Sequence, residues 1–413
     1  MNGKPVSSFS DKRNGRESDR PLRLLRSLVR RLLNRPRPYP VRVQSRSPSP
    51  RGGALLSYLA EPCRAELSGS EGYFLGHSNK WESREIARLL ASEGYDVDVI
   101  EWTDSQFVPQ REYSVVIDIH KNLERLSPYL GSRCVKIMHL TGSYPRYHNA
   151  AELRRLSDLK TRRGVSLQPR RLVTDDESMV HAIHLSDACT LIGNSHTLST
   201  FPQDTRQKIQ PVPVSSSPAI KSKTTSQFAP PAREFLWFFG SGAVHKGLDL
   251  VLDVFADEPE WILHVVGNIE SESDFVAAYR RELTMQPNIH YHGYLLPDSK
   301  EFGDIVSKCF SFIAASCSEG ISPAAATCMQ IGLLPIISLD TGIDLPEACG
   351  ERLRDCMHQE IRDAVIRSLS LSDEQLRAQI ARCQSFALNE YSRERFSERM
   401  QSALRQILRT NAR

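Results

Sequence analysis

Residues 312–338 read Phe-Ile-Ala-Ala-Ser-Cys-Ser-Glu-Gly-Ile-Ser-Pro-Ala-Ala-Ala-Thr-Cys-Met-Gln-Ile-Gly-Leu-Leu-Pro-Ile-Ile-Ser. No other stretch limits the possible folds as tightly. A short apolar run (312–315) is followed by a turn (316–321) and then by a helix with both ends marked. Ser322 is an N-cap residue whose hydroxyl can accept from a free first-turn amide. Pro323 takes the first helical position, where a missing N–H costs nothing. Ala324, Ala325 and Ala326 are strong helix formers. Gly332 suits the C′ position that closes a helix, Pro335 comes soon after, and a second apolar run (333–338) follows. Strand, turn, helix, strand is the repeating unit of a parallel α/β sheet.

A turn at the carboxyl end of such a strand, leading into a helix N-terminus, is a place to bind phosphate. Glu319 sits in that turn. A carboxylate beside an anion site makes sense when it faces an uncharged part of the ligand, and a sugar nucleotide offers both a diphosphate and hydroxyls. The structural alternative is a solvated loop carboxylate stabilised by the helix dipole.

A second segment, Phe239-Gly-Ser-Gly-Ala-Val-His-Lys-Gly-Leu-Asp-Leu250, lies upstream. With the Ser-Glu-Gly turn and its following helix, it makes the chain resemble the retaining GT-B glycosyltransferases of the large family 4 group. The turn matches that family's Glu-x7-Glu region and the second segment its Gly-x5-Lys-Gly region, in the same order. The likeness is strong over residues 235–346 and weak elsewhere. It implies an α/β fold of two Rossmann-like domains facing across a cleft, with the nucleotide sugar held by the second domain. On that resemblance Glu319 binds donor-sugar hydroxyls. Lys246 stabilises the diphosphate, together with Gly320, Ile321, Ser322 and the amides at the start of the helix. A fixed cation is useful there because charge grows on the leaving group as the glycosidic bond breaks. The alternative for Lys246 is a solvated lysine at a helix start, a position the dipole disfavours. Gly240, Ser241 and Gly242 let backbone pass close to a ligand, and His245 reads as structural or exposed.

Two positions depart from the family pattern. Ser241 stands where the family carries an arginine, so one phosphate-binding cation is missing. Thr327 stands where the second glutamate would hold the ribose hydroxyls, and a hydroxyl cannot supply a carboxylate's two acceptors.

The 413 residues, 40% hydrophobic and 25% charged, suit two globular domains with real cores. No apolar run is long enough to span a membrane, and the amino end lacks the apolar core of a signal peptide. Nine cysteines without a Cys-x-x-Cys pair point to reduced thiols in a cytoplasmic setting rather than a disulfide framework or zinc site. The net charge of +4 divides unevenly: residues 1–52 carry +11 and the remainder −7. This basic, Pro- and Ser-rich arm is expected to be disordered except over residues 22–33. There Leu22, Leu25, Leu28, Val29, Leu32 and Leu33 share a helical face opposite Arg23, Arg26, Arg30 and Arg31. Such a helix can lie on an anionic membrane surface, here the inner face of the cell membrane. The alternatives are docking on its own protein or a nucleic-acid arm. Nucleic acid is disfavoured because no aromatic residues interleave with the arginines.

The first domain is expected over residues 53–211, with strands near 55–59, 96–102, 113–119, 134–140 and 188–193. Helices are expected after a Ser83 cap and over 175–184. Strands alternating with helices predict a parallel, helix-covered sheet, and without Gly-x-Gly-x-x-Gly nothing suggests a dinucleotide site. His139 lies at the carboxyl end of a strand, where the resembled family has a histidine facing the donor sugar. The alternative is a partly buried histidine bonded to backbone. His77 and Asn79, in the loop Gly76-His-Ser-Asn-Lys80, occupy the place of the family's acceptor-contacting loop, or form a polar turn. Asn194 and His196 follow the last strand and are placed to border the cleft. A polar, proline-bearing linker covers 212–233, and the second domain covers 234–384. A terminal helix over 385–413 crosses back to the first domain, as the resemblance implies.

The expected activity is metal-free transfer of a hexose from a UDP- or GDP-sugar to a hydroxyl on a glycan or lipid-linked acceptor, with retention and no bound cofactor. Two rivals are a sugar-nucleotide epimerase, which would need no acceptor, and a non-catalytic glycan- or nucleotide-binding protein, to which Ser241 and Thr327 point.

Overall fold

The computed structural model describes residues 39–45, 47–64, 71–74, 77–216 and 233–411. The amphipathic segment 22–33 and most of the expected linker lie outside them. Two sheets organise the chain. The first has seven strands in the order β1-β3-β2-β4-β5-β6-β7: Val41–Val43, Gly52–Tyr58, Tyr95–Glu101, Val115–Asp118, Val135–Leu140, Ala188–Ile192 and Ile209–Val212, numbered β1 to β7 along the chain. The second has six in the order β10-β9-β8-β11-β12-β13: Glu234–Phe238, Leu263–Val266, Ile289–Tyr291, Cys309–Ala314, Leu334–Ser338 and Glu351–Leu353, numbered β8 to β13. Every pairing is parallel except β1 with β3. Central strands such as β4 and β11 are buried at every position, which is why they read as unbroken apolar runs: helices cover both faces.

In each sheet the strand order reverses once, with β2 between β3 and β4, and β8 between β9 and β11. A crevice opens outside the carboxyl ends at such a reversal. The loops after β8 and β11 are the two segments singled out in the sequence, so the second crevice falls on them.

Several local expectations are corrected. β1 lies inside the 1–52 segment expected to be disordered. It is held as an edge strand by its antiparallel ladder to β3, across which Arg42 also pairs with Asp98 at 3.4 Å. The first long helix runs Ser78–Ser92 with His77 at its N-cap. Ser83 therefore caps nothing: it is buried mid-helix and its hydroxyl donates to the Leu59 carbonyl at 2.7 Å. β6 is not the last strand of its sheet, since β7 follows it. β11 begins at Cys309, directly after a helix Lys300–Lys308. The nineteen-residue helix Pro145–Arg163 had no reading in the sequence.

That helix connects the two lobes. Arg162 reaches the Asp249 carboxylate at 2.6 Å, and Arg163 reaches Asp253 at 2.7 Å and Glu282 at 2.8 Å. The helix Arg393–Thr410 packs on the helix Ser78–Ser92. Ser397 Oγ donates to Glu85 at 2.6 Å, Arg405 pairs with Glu93 at 2.7 Å, and the Phe396 and Trp81 rings meet edge-on. No helix among the described residues is long and apolar enough to cross a membrane. All nine cysteines are free thiols.

Candidate functional site

The loop after β8 turns through two glycines in the left-handed region, Gly242 (φ +85°) and Gly247 (φ +74°). At Gly247 the reason is contact: a Cβ there would lie 2.4 Å from the Ala315 carbonyl. The loop is thus pressed against the turn after β11. The Cys317 amide donates to the His245 carbonyl at 2.9 Å, and His245 Nε2 bonds the Ser318 carbonyl at 2.7 Å. This packing buries Lys246 to 7% exposure and sets its ammonium against the Glu319 carboxylate as an ion pair. Burial pulls the lysine pKa down, and Arg171 nearby adds to that, while Glu319 holds it up. The expected alternative of a solvated lysine does not occur.

The helix Pro323–Gln330 starts as its sequence dictates. The Ser322 hydroxyl accepts from the Ala325 amide, and the Ser322 amide donates to the Thr341 carbonyl at 3.0 Å. The amides of Ile321 and Ala324 are left without a protein partner among the described residues.

These loops form one side of a cleft of about 680 Å³. Gly240, Ser241, Lys246, Glu319, Gly320, Ile321, Ser322 and Thr327 all line it. Gly242 does not. Its amide donates to the Glu272 carboxylate at 2.6 Å, so this glycine shapes the loop rather than offering an N–H to a ligand. The Thr327 hydroxyl meets that of Ser216 at 2.7 Å, bringing the end of the first lobe's chain to the helix.

The opposite side comes from the first lobe. His77 and Asn79 line it. His139 does not: it is fully buried in β5, its Nδ1 bonds Thr190 Oγ1 on β6 at 2.8 Å, and its Nε2 has no partner among the described residues. Burial drops its pKa to about 4, so the ring is neutral. The strand carries on past it, and the cleft receives Thr141, Gly142 and Ser143 instead.

Sequence reasoning missed His148, Glu152 and Arg171. His148 Nδ1 lies 3.1 Å from Ser318 Oγ, and its Nε2 lies 2.7 Å from the Arg171 carbonyl. Glu152 accepts the amides of Arg170 (2.7 Å) and Arg171 (2.9 Å). His148 and Glu152 are four apart on one helix face, the sole signal available beforehand. With His245 they form a set whose ligand atoms lie within 4.8 Å of one another. The hydrogen bonds already made by these atoms, and the adjacent Lys246 cation, oppose a divalent ion there. Asn194 and His196 reach across the lobes, Asn194 to Asp344 at 2.9 Å and His196 to Asp340 at 3.1 Å.

Trp102 and His120 also border the cleft from the first lobe, with the buried rings of Tyr58 and Phe74 behind them. Beside them Glu82 is 1% exposed, bonded to the Ser215 hydroxyl at 2.9 Å, with its pKa raised to about 7 by burial.

No protein-family model matches this sequence, and no curated protein matches it. Solved structures do. A sucrose-phosphate synthase from Thermosynechococcus elongatus is 14% identical, covers 87% of this chain and 99% of its own, and has a TM-score of 0.58. HepE from Anabaena in complex with UDP is 13% identical, with coverages of 86% and 99% and a TM-score of 0.56. WaaG, a glycosyltransferase involved in lipopolysaccharide biosynthesis, is 12% identical, with coverages of 85% and 98% and a TM-score of 0.51. At these identities the likeness establishes the fold. This chain has the GT-B architecture, two Rossmann-like α/β domains facing across a cleft.

Proposed function

We propose that this protein is a glycosyltransferase that moves a hexose from a UDP- or GDP-sugar to a hydroxyl of a glycan or lipid-linked acceptor, with retention. The observation that carries the reading is the buried Lys246–Glu319 pair at the strand-order reversal of the second sheet, facing a cleft roomy enough for a nucleotide sugar. The fold neighbours support a nucleotide-sugar donor, and HepE has been solved with UDP-glucose.

In this mechanism the diphosphate lies across Lys246 and the amides of Ile321 and Ala324. These donors gain most when the glycosidic bond breaks and charge builds on the leaving oxygen. Glu319 accepts from sugar hydroxyls while it stays hydrogen-bonded to Ser316 Oγ at 3.1 Å. The Thr327 and Ser216 hydroxyls hold the ribose, a weaker arrangement than a carboxylate provides. On the acceptor side, Trp102 and His120 offer ring faces against which a sugar ring packs, beside His77 and Asn79. The protein works in the cytoplasm, with residues 22–33 touching the anionic inner face of the membrane; binding of the full chain to phosphatidylserine vesicles tests that part.

Thermal unfolding against nucleoside diphosphates and their sugars tests the donor site. A ligand at a hundredfold excess over its Kd stabilises by about 2.7 kcal/mol. A clear rise in Tm with one nucleotide, lost in Lys246→Ala, is the expected outcome. No shift with any of them at millimolar concentration rejects the reading.

A further inference from the structure

Lys246 is partly neutralised before any ligand arrives, because its ammonium is paired with Glu319. A nucleoside diphosphate brings at least two negative charges to this end of the cleft, and a buried charge needs a partner. Ser241 contributes a hydroxyl there and no charge. Among the described residues two arginines line the cleft, Arg171 and Arg393. Arg393 donates to the Phe74 carbonyl at 3.0 Å and stands over the Trp81 ring. Arg171 differs: no carboxylate among the described residues lies within ion-pairing distance of its guanidinium.

Its place is nonetheless fixed. The Arg171 amide donates to both oxygens of Glu152, at 2.9 and 3.0 Å, and its carbonyl bonds His148 Nε2 at 2.7 Å. Its aliphatic stem lies on Gly242, where a Cβ would come within 2.8 Å of Arg171 Cγ and 3.0 Å of Cδ. The loop that starts at Gly240 and ends at Lys246 therefore carries a first-lobe guanidinium on its glycine. That charge is felt at Lys246, His245 and His148, whose protonated forms it disfavours.

We infer that Arg171 is the second cation for the donor diphosphate, supplied across the cleft from the first lobe, where the second lobe offers only Ser241. The inference rests on the donor reading above. Its consequence is that the diphosphate ties the two lobes together, with Lys246 on one side and Arg171 on the other.

The experiment is calorimetric titration of the full chain with UDP, GDP, UMP and GMP, for wild type, Arg171→Ala, Arg171→Met and Arg171→Ala/Ser241→Arg. Charge-assisted hydrogen bonds contribute about 1.5–3 kcal/mol, so both single variants should bind the preferred diphosphate about 10- to 100-fold more weakly. The monophosphate should change by less than about threefold on the same argument. Arg171→Met keeps the stem over Gly242 and separates lost charge from lost packing. Restored diphosphate affinity in the double variant supports the inference, because it returns a cation from the other lobe. Wild-type affinity for the diphosphate in both single variants overturns it and leaves the donor site standing. A wild type that binds neither UDP nor GDP overturns the donor reading and this inference with it.

Discussion

The donor part of the second-lobe wall is made from two short continuous segments, 240–246 and 318–327, each running from a strand end towards a helix. The first-lobe wall gathers Tyr58, Trp102, His120, Ser143, His148, Arg171 and Ser216, from after nearly every strand of its sheet. Local sequence can specify the first kind of wall, since spacing, glycines and a capping serine define the geometry directly. The second kind exists only after the sheet has assembled. The donor wall therefore tolerates little local change, while the opposing wall depends on how the lobes are held.

The largest test of this contrast is Lys246→Ala. It should lower kcat/KM for transfer about 10²- to 10³-fold, the scale of removing one donor to developing charge, measured well below a Tm that the unpaired Glu319 carboxylate itself lowers. His148→Ala, on the other wall, should cost no more than about tenfold by the same comparison. Equal losses at both positions would abolish the distinction. The next effect is on stability. Arg162→Ala leaves Asp249, 0% exposed, short of its ion-pair partner, and breaking a buried pair costs about 3 kcal/mol. An unchanged urea midpoint would show that the interlobe pairing is idle.

Glu82 sharpens the comparison through pH. Its carboxyl pKa is raised by burial from 4.5 to about 7 in the folded protein, so the folded state holds this proton more tightly than the unfolded one. The stability that follows is complete below about pH 4.5 and is lost as pH rises to 7. Glu82→Gln should thus gain on wild type across that window, at up to about 1.4 kcal/mol per pH unit. The readout is the difference in unfolding free energy at pH 5 and pH 8, and a constant difference refutes it. The smallest effect belongs to Thr327→Val. Loss of one hydroxyl pairing with Ser216 should weaken nucleotide binding by about 1 kcal/mol, measured as a shift in Kd.

The same contrast explains what was legible beforehand. Ser322-Pro323 and Gly332 announce their helix because each residue acts on its own backbone. Lys246 and Glu319 are legible as a pair of motifs, and the structure adds that they touch. The helix Pro145–Arg163 escaped because it presents no apolar stripe. Arg155, Arg162 and Arg163 find partners in the second lobe, with Arg155 donating to the Ala315 carbonyl at 3.0 Å, so buried surface is written in charged letters. Ser83 misled for the opposite reason: a residue type suited to capping serves a buried hydrogen bond to Leu59 instead. His139 falls near the end of the strand expected over 134–140, and β5 does end at Leu140, but its side chain turns into the sheet against Thr190, and the residues beyond Leu140 are the ones that reach the cleft. Val41–Val43 was masked by the prolines and arginines around it. An edge strand of three residues needs only the ladder to β3, which no local pattern reveals.

The packing of Arg393–Thr410 on Ser78–Ser92 has a consequence for the order in which the protein is made. Ser397 leaves the ribosome 312 residues after the Glu85 it binds. At about 5–20 residues per second, the first lobe spends on the order of half a minute with the Trp81 side of that helix uncovered, while the second lobe is still being synthesised. The lobe that begins first is completed late, with Trp81 waiting for Phe396 through that interval.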